Sequence, residues 1–326
     1  MINNLGDIVY YRIPCQKSVS LNGEFIKVNS ILDVTGFFVS DFEKKNIFVF
    51  KEKKNNNKLK FYSSKEKIKD QTRQEYLNTG KYFLSKIIDK GINKAILSRI
   101  KIINQSIDIL QFYKELCIEY KDAFVYLISS KFFGTWIGAS PELLINYKNN
   151  EGRTMSLAGT LPNNINQEWS TKEFVEQDIV TQFINKQLSS LGLDKIKQSE
   201  LETFFMGPVK HLKTNFNFFL PQNRILELVS LLHPTPAVSG FPRNESIKLI
   251  KKVEKHKRQF YSGLIGLHNR QNSDIFVNLR CAQVFDQFIV LYLGGGYTKS
   301  SIIINEWDET EFKANTLLNV INNIKG

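Results

Sequence analysis

The sequence predicts one large α/β domain of the α+β kind, built on a mostly antiparallel sheet. Three observations carry this. Short alternating apolar stretches of strand character are interleaved with stretches of helical periodicity along the chain. No linker and no internal repeat separates them. The 326 residues, 42% hydrophobic and 23% charged, provide enough chain to bury a core and shape an internal cleft.

Taken in order, DIVYYRI, NSILDVTGFFVS and KNIFVFKEK within residues 1–80 read as strands and hairpins, with 51–60 (KEKKNNNKLK) as an exposed loop. Residues 67–93 have helical spacing that ends near Gly91, followed by a strand in KAILSRI (94–100). A second helix spans IDILQFYKELCIEY (107–120). AFVYLISS and TWIGASPELLINY then read as two strands around a Phe-Gly turn, with RTMSLAGTLP as a third. Helical periodicity returns from about 170 to 192 and is closed by Gly192. FFMGPVKHLKTNFNFFL reads as strands, ILELVSLLHP as a helix stopped by Pro234, and NESIKLIKKVEKH as another helix. IFVNLRCAQVF and QFIVLYLGGG form a strand pair, and a helix over EWDETEFKANTLLNVINNI ends the chain.

Composition excludes several classes. Three scattered cysteines make neither a disulfide framework nor a thiolate metal site, and four histidines without HExxH spacing argue against a zinc hydrolase. MINNLGDIVYYRIP lacks the basic start and apolar stretch of a signal peptide, and FIVLYL (288–293) is far too short to span a bilayer. A cytoplasmic protein without membrane or nucleic-acid partners is therefore expected. The formal charge of +12 sits in Asn-rich, aromatic-poor sequence rather than in a basic face with interleaved aromatics. Such an excess suits a small anionic substrate.

Five features could carry chemistry. Glu173 and Glu176 are three apart on the 170–192 helix, as are Glu306 and Glu309 on the last one, so each pair shares a helical face. Two such faces turned together would offer the hard oxygen ligands Mg²⁺ prefers; Lys313, four after Glu309, equally suits an ordinary solvated Glu–Lys pair. Glu142 in GASPELL follows Pro141 in apolar surroundings, where burial would raise its pKa toward a general acid's range unless it faces water from a strand edge. Lys94 heads an apolar strand; buried beside other cations it is a candidate base, exposed it is a surface lysine. Arg280 sits at the centre of VNLRCAQV, where a buried guanidinium needs either a substrate carboxylate or a structural ion pair. Gly294–Gly296, directly after a strand, expose backbone N–H groups to an anion or make a plain turn. His233 reads as a satisfied helix-end histidine.

In order, KAILSR (94–99), FGTWIGASPELL (133–144), LAGTLP (157–162), KEFVEQDIV (172–180), LHPTPAVSGFP (232–242), RQFYSGLIG (258–266), NLRCAQV (278–284) and GGG with EWDETEFK (306–313) resemble the chorismate-utilising enzymes, and within them the isochorismate synthases. The resemblance covers about residues 90–320, within a single domain over 1–326 whose residues 1–85 match weakly. It implies two large antiparallel sheets packed together with helices outside. It further implies a reversible, Mg²⁺-dependent exchange of the chorismate C4 hydroxyl for a water-derived hydroxyl at C2. Lys94 then matches the base that activates water and Glu142 the acid that protonates the departing hydroxyl. Glu176 and Glu309 match the Mg²⁺ ligands, with Glu173 and Glu306 supporting through water. Arg280, Tyr261 and the Gly294 amide, with Gly295 beside it, match the enolpyruvyl-carboxylate site; Gly159, Thr160 and His233 line the ring, and Lys313 lies near the ring carboxylate. One internal site suits a monomer, and the product would serve menaquinone or siderophore formation.

Within that family, anthranilate synthases usually carry glutamine at the position of Lys94, and one type of aminodeoxychorismate synthase a lysine at that of Ala158. Salicylate synthases, which go on to eliminate pyruvate, share the lysine, the acid and the metal set, and a non-catalytic anion binder on the same scaffold is the remaining alternative. The YSGLIG and LHPTPAVSGFP wording looks more like the non-lyase enzymes. Departures from the family pattern are Glu173 for aspartate, Gln177 for histidine and GGGY for Gly-Ala-Gly-Ile. None removes a principal role, so an active enzyme is expected.

Overall fold

A computed structural model describes residues 6–324, except 54–59, 65, 67, 164–166, 194 and 270. The first part of the chain forms strands β1 (Asp7–Arg12), β2 (Val19–Val28), β3 (Gly36–Ser40) and β4 (Ile47–Glu52). Then come helix α1 (Arg73–Asp89), β5 (Lys94–Ile103), helix α2 (Ile109–Glu119) and four strands, β6 (Phe124–Ser130), β7 (Gly134–Ser140), β8 (Leu143–Lys148) and β9 (Glu151–Pro162). Helix α3 (Thr171–Ser190) leads to β10 (Lys197–Gln198), β11 (Glu202–Met206) and β12 (Val209–Phe219). Helix α4 (Ile225–Leu232), β13 (Gly240–Phe241) and helix α5 (Arg243–Val253) precede β14 (Leu264–His268), β15 (Asn272–Val277), β16 (Cys281–Val284), β17 (Ile289–Tyr297) and the closing helix α6 (Ile303–Ile324).

Among the described residues every strand pairing is antiparallel, and the pairings form one ladder, β13-β5-β17-β16-β7-β6-β1-β2-β4-β3-β14-β15-β8-β9-β12-β11, with β10 also on β12. The expected mostly antiparallel α/β architecture is therefore present, and its two layers are halves of one sheet folded on itself. β2 makes the corner: Val19–Gly23 pair with β1 and Gly23–Val28 with β4. Gly23 stands at the handover because a Cβ there would lie 2.1 Å from the Lys51 carbonyl oxygen.

The halves pack face to face through an aromatic-rich core. Phe124 stacks on Phe276 with ring centroids 4.6 Å apart, and Tyr11 meets Phe37 at 5.6 Å. Helices cover the outer faces: α2 and α6 one half, α3 and α4 the other, α1 and α5 the β5 edge. No helix among the described residues is long and apolar enough to cross a membrane.

Four local readings need correction. The helix expected over 67–93 begins only at Arg73, because Thr72 and Glu75 form a capping box there. Lys51 and Glu52 end β4 rather than opening a loop, and 54–59 of that expected loop lie outside the described residues. TWIGASPELLINY is two strands, β7 and β8, since Pro141 has no N–H to donate to a ladder. IFVNLRCAQVF likewise divides into β15 and β16.

These last two breaks coincide. β7 pairs with β16 in one half, and β8 pairs with β15 in the other. Two neighbouring strands thus leave one layer for the other at Pro141–Glu142 and Asn278–Arg280. The Glu142 carbonyl accepts from Val277 N at 3.0 Å and the Arg280 carbonyl from Ala139 N at 3.1 Å, so backbone bonding persists across the corner. Glu142 and Arg280 lie at the same opening between the layers.

Candidate functional site

At that opening lies a cavity of about 50 Å³ lined by Lys94, Glu142, Gly159, Thr160, Glu176, Tyr261, Arg280, Gly294–Gly296 and Lys313. Thr160 also lines an adjoining groove of about 1130 Å³, whose wall includes Lys172, Glu173 and Glu309. Of the residues expected at a site, all but one line the cavity or groove or, like Glu306, contact a residue that does. The exception is His233.

Glu142 is 2% exposed, and Thr235 Oγ1 donates to its Oε1 at 3.2 Å. Burial pushes its pKa up to about 7, even though Thr235, Lys94, Arg280 and Lys313 all pull it down. Removing the carboxyl from water favours its neutral form, as a general acid requires.

Lys94 opens β5 and is fully buried, so it is not a surface lysine. Its nearest charged partner is a carboxylate rather than other cations: Nζ lies 2.9 Å from Glu176 Oε1. Burial alone would raise the Glu176 pKa, but Lys94, Lys172 and Lys313 outweigh it and hold the group below the ordinary glutamate value.

Arg280 does not sit mid-strand. It occupies the corner with φ +47°, a left-handed conformation costing a non-glycine residue about 1–3 kcal/mol. Its side chain is buried, its Nε has no partner, and no carboxylate lies within ion-pair distance among the described residues. Its Nη2 instead lies 3.0 Å from His211 Nε2. A buried guanidinium without an anion is costly, so an anionic ligand would meet a cation not yet neutralised.

Gly294–Gly296 are not a turn. They lie inside β17, opposite Ser98, Leu97 and Ile96 of β5. Pairing with β16 stops at Tyr292, so this stretch is laddered on one side only. Small size is required here: a Cβ on Gly294 would lie 2.6 Å from Tyr261 Oη, and one on Gly296 2.4 Å from Glu176 Oε1. Burial raises the Tyr261 hydroxyl to about 12, keeping it a neutral donor. Gly159, at φ +63°, turns β9 beside Glu173.

The acidic pairs on α3 and α6 do face one region, since Lys172 Nζ on α3 reaches Glu306 Oε1 on α6 at 2.7 Å. Each carboxylate, however, closes on a partner from the protein. Glu309 Oε1 accepts from Lys313 at 2.5 Å, and Lys313 also donates to the Gly294 carbonyl at 3.0 Å. Glu173 Oε2 accepts from the Ser170 N–H (3.0 Å) and hydroxyl (2.6 Å), capping its own helix. Among the described residues no group of three or more His, Cys, Asp or Glu is gathered as a metal ion requires. Among the described residues Glu306 Oε2 is buried without a well-formed hydrogen bond, and burial together with Glu309 pushes the group up to about 7 against the pull of Lys172 and Ser301.

His233 is absent from the cavity wall. Its Nε2 lies 2.9 Å from the Ser262 carbonyl, burial pushes its pKa to about 3, and it stands two residues before Thr235, the donor to Glu142. Sequence reasoning missed Lys172, Thr235 and His211. Lys172 and Thr235 lay inside quoted motifs, while His211 sat in an unremarkable strand segment, KHLKT.

A family model described as chorismate binding enzyme matches residues 27–322. Isochorismate synthase EntC of Escherichia coli (strain K12) is 28% identical over 243 residues, 70% of this chain and 62% of that protein. Isochorismate synthase MenF of Bacillus subtilis (strain 168) is 28% identical over 253 residues, 73% of this chain and 53% of that protein. The matched segment thus spans less than two thirds of either relative. The crystal structure of DhbC from Bacillus anthracis superposes with a TM-score of 0.83 at 22% identity, covering 97% of this chain and 96% of that one, a likeness of fold.

Proposed function

The chain belongs to the chorismate-binding enzymes, and from that premise we propose that it converts chorismate to isochorismate. The observation that carries the proposal is the corner itself. A carboxyl raised to about 7 and a buried arginine lacking an anion open onto one cavity that Lys94 also lines.

In this reading Arg280, with the Tyr261 hydroxyl, binds the enolpyruvyl carboxylate, and the glycine edge of β17 leaves room for it. Lys313 meets the ring carboxylate, and Gly159 and Thr160 line the ring. Once its ion pair with Glu176 opens and its proton has passed to solvent, Lys94 is a neutral amine; water then adds at C2 and gives a proton to Lys94, the ring double bonds shift, and the C4 hydroxyl leaves as water with the proton of Glu142. Water is consumed and released once each, so substrate and product have the same mass. A cavity of about 50 Å³ is closed by the protein's own ion pairs. Substrate entry therefore exchanges glutamate–lysine contacts for lysine–carboxylate contacts, a trade of like for like.

The donors are all oxygens, chemistry that suits a hard divalent cation once the lysine and serine contacts on these carboxylates open; as they stand, no three of them are gathered around one point among the described residues. Mg²⁺ would be held by Glu176 and Glu309, with Glu173 and Glu306 reaching it through water, and when bound would neutralise and orient the ring carboxylate. The names of the similar proteins, isochorismate synthases EntC and MenF, support the same reaction.

Turnover in H₂¹⁸O tests the proposal. The C2 hydroxyl of the product must carry one ¹⁸O; an isomer formed without label would contradict water attack.

A further inference from the structure

His211 takes no part in the chemistry above, yet it is the side chain that holds Arg280. It lies on β12, 5% exposed, and lines the cavity. Its Nδ1 is 2.9 Å from the Gly159 carbonyl oxygen, and its Nε2 is 3.0 Å from Arg280 Nη2. A carbonyl only accepts and a guanidinium only donates. The two contacts together leave one form of the ring: Nδ1 carries the proton, Nε2 offers its lone pair, and the imidazole is uncharged. Thr160 Oγ1, 3.3 Å from Nδ1, adds a longer contact from the same β9 turn.

We propose that His211 is a positioning residue that aims the Arg280 guanidinium at the substrate's carboxylate without neutralising it. The inference rests on the reading of Arg280 as a carboxylate clamp. A carboxylate in place of His211 would form a bidentate pair with the arginine and compete with the substrate. Left with no partner, the guanidinium could turn about its long side chain. A neutral acceptor avoids both. The ring also ties Arg280 to the Gly159–Thr160 turn, so one side chain registers the anion clamp against the edge that lines the substrate ring. The strained backbone of Arg280 at φ +47° persists only where its surroundings fix it. His211 and the bond from Ala139 N to the Arg280 carbonyl are two such fixings.

Two substitutions divide the ring's functions. His211→Asn places an amide nitrogen where Nδ1 was, keeping the Gly159 bond but losing the acceptor for Arg280. His211→Gln reaches further and restores an acceptor oxygen near the Nε2 position. A clamp grips ground and transition states alike, so its loss belongs in KM. Measured by chorismate consumption, His211→Asn should raise KM about 10- to 100-fold with kcat within about threefold of the wild type. His211→Gln should recover most of that loss. In an Arg280→Gln background, His211→Asn should change KM less than about threefold. A wild-type KM in the Asn variant, equal losses in the Asn and Gln variants, or additive effects in the double variant would each overturn the assignment.

A spectroscopic readout needs no variant to fold well. The chain has four histidines, so selective ¹⁵N labelling resolves them, with His211→Gln identifying its signal. The His211 ring should show the neutral Nδ1–H form from pH 5 to 8; an imidazolium or an Nε2–H ring overturns the proposal. A wild-type protein that leaves chorismate untouched counts against the proposed function instead, because the tautomer is read independently of turnover.

Discussion

Replacing Glu142 by Gln separates what burying a carboxyl does to the fold from what it does for the reaction. Burial pushes Glu142 to about 7, against 4.5 for a free glutamate. At about 1.4 kcal/mol per pH unit, that gap is worth about 3 kcal/mol. Below pH 4 the carboxyl is protonated in both the folded and the unfolded chain, and no penalty exists. Between about 4.5 and 7 the unfolded chain ionises while the folded one stays protonated, so stability falls through this window. By pH 8 the whole loss is present. Glutamine has the same shape, can accept the Thr235 hydrogen bond and does not titrate. The variant should therefore be more stable than the wild type at pH 8 by about 1–3 kcal/mol, and the difference should vanish near pH 4. Urea unfolding without added divalent cations measures this directly. The same substitution should cost at least about 100-fold in turnover, and wild-type turnover should decline as pH rises through about 7 and the acid form is lost. A stability difference that is equal at pH 4 and pH 8 would refute a buried, neutral Glu142.

Lys94→Met should remove turnover and destabilise the protein by about 3–5 kcal/mol, because Glu176 is left buried without its partner at 2.9 Å. Adding Glu176→Gln should restore the unfolding midpoint but not activity; a Lys94→Met protein with normal turnover would exclude Lys94 as the base. Gly296→Ala puts a Cβ 2.4 Å from Glu176 Oε1 and 3.3 Å from Lys94 Cε, the far ends of flexible side chains. It should keep the fold by circular dichroism, lower turnover without abolishing it, and raise the Mg²⁺ concentration needed for half-maximal activity; an unchanged Mg²⁺ requirement would count against Glu176 as a ligand. Gly294→Ala crowds Tyr261 Oη at 2.6 Å and should raise KM for chorismate more than it lowers kcat; a fall in kcat alone would remove Tyr261 from the binding role.

Local sequence carried the elements whose signals are local. Helical periodicity placed α3 from about 170, the 3-residue spacing of acids puts Glu173 and Glu176 on one face, and apolar neighbours mark Glu142 for burial. The two undivided strands share a cause: apolar continuity says that a strand is buried, not which layer it is in. TWIGASPELLINY and IFVNLRCAQVF each read as one strand because both halves are buried, and only their mutual pairing shows the crossing that frees Glu142 and Arg280. Gly294–Gly296 look like a turn until β5 supplies nine partners for β17. Contacts remote in sequence were invisible for the same reason: Lys172 meets Glu306 across 134 residues and Arg280 meets His211 across 69. The acidic faces predicted an oxygen-rich site but not the lysines that close it, since spacing on one helix says nothing of what the neighbouring helix presents.

Incubating the purified protein with chorismate and Mg²⁺, with and without EDTA, and identifying the products by chromatography and mass decides whether the corner site performs hydroxyl exchange. The expected product is an isomer of unchanged mass, formed without pyruvate and lost when EDTA removes the metal. Salicylate with pyruvate, or chorismate left intact by folded protein in every tube, would contradict the proposed function.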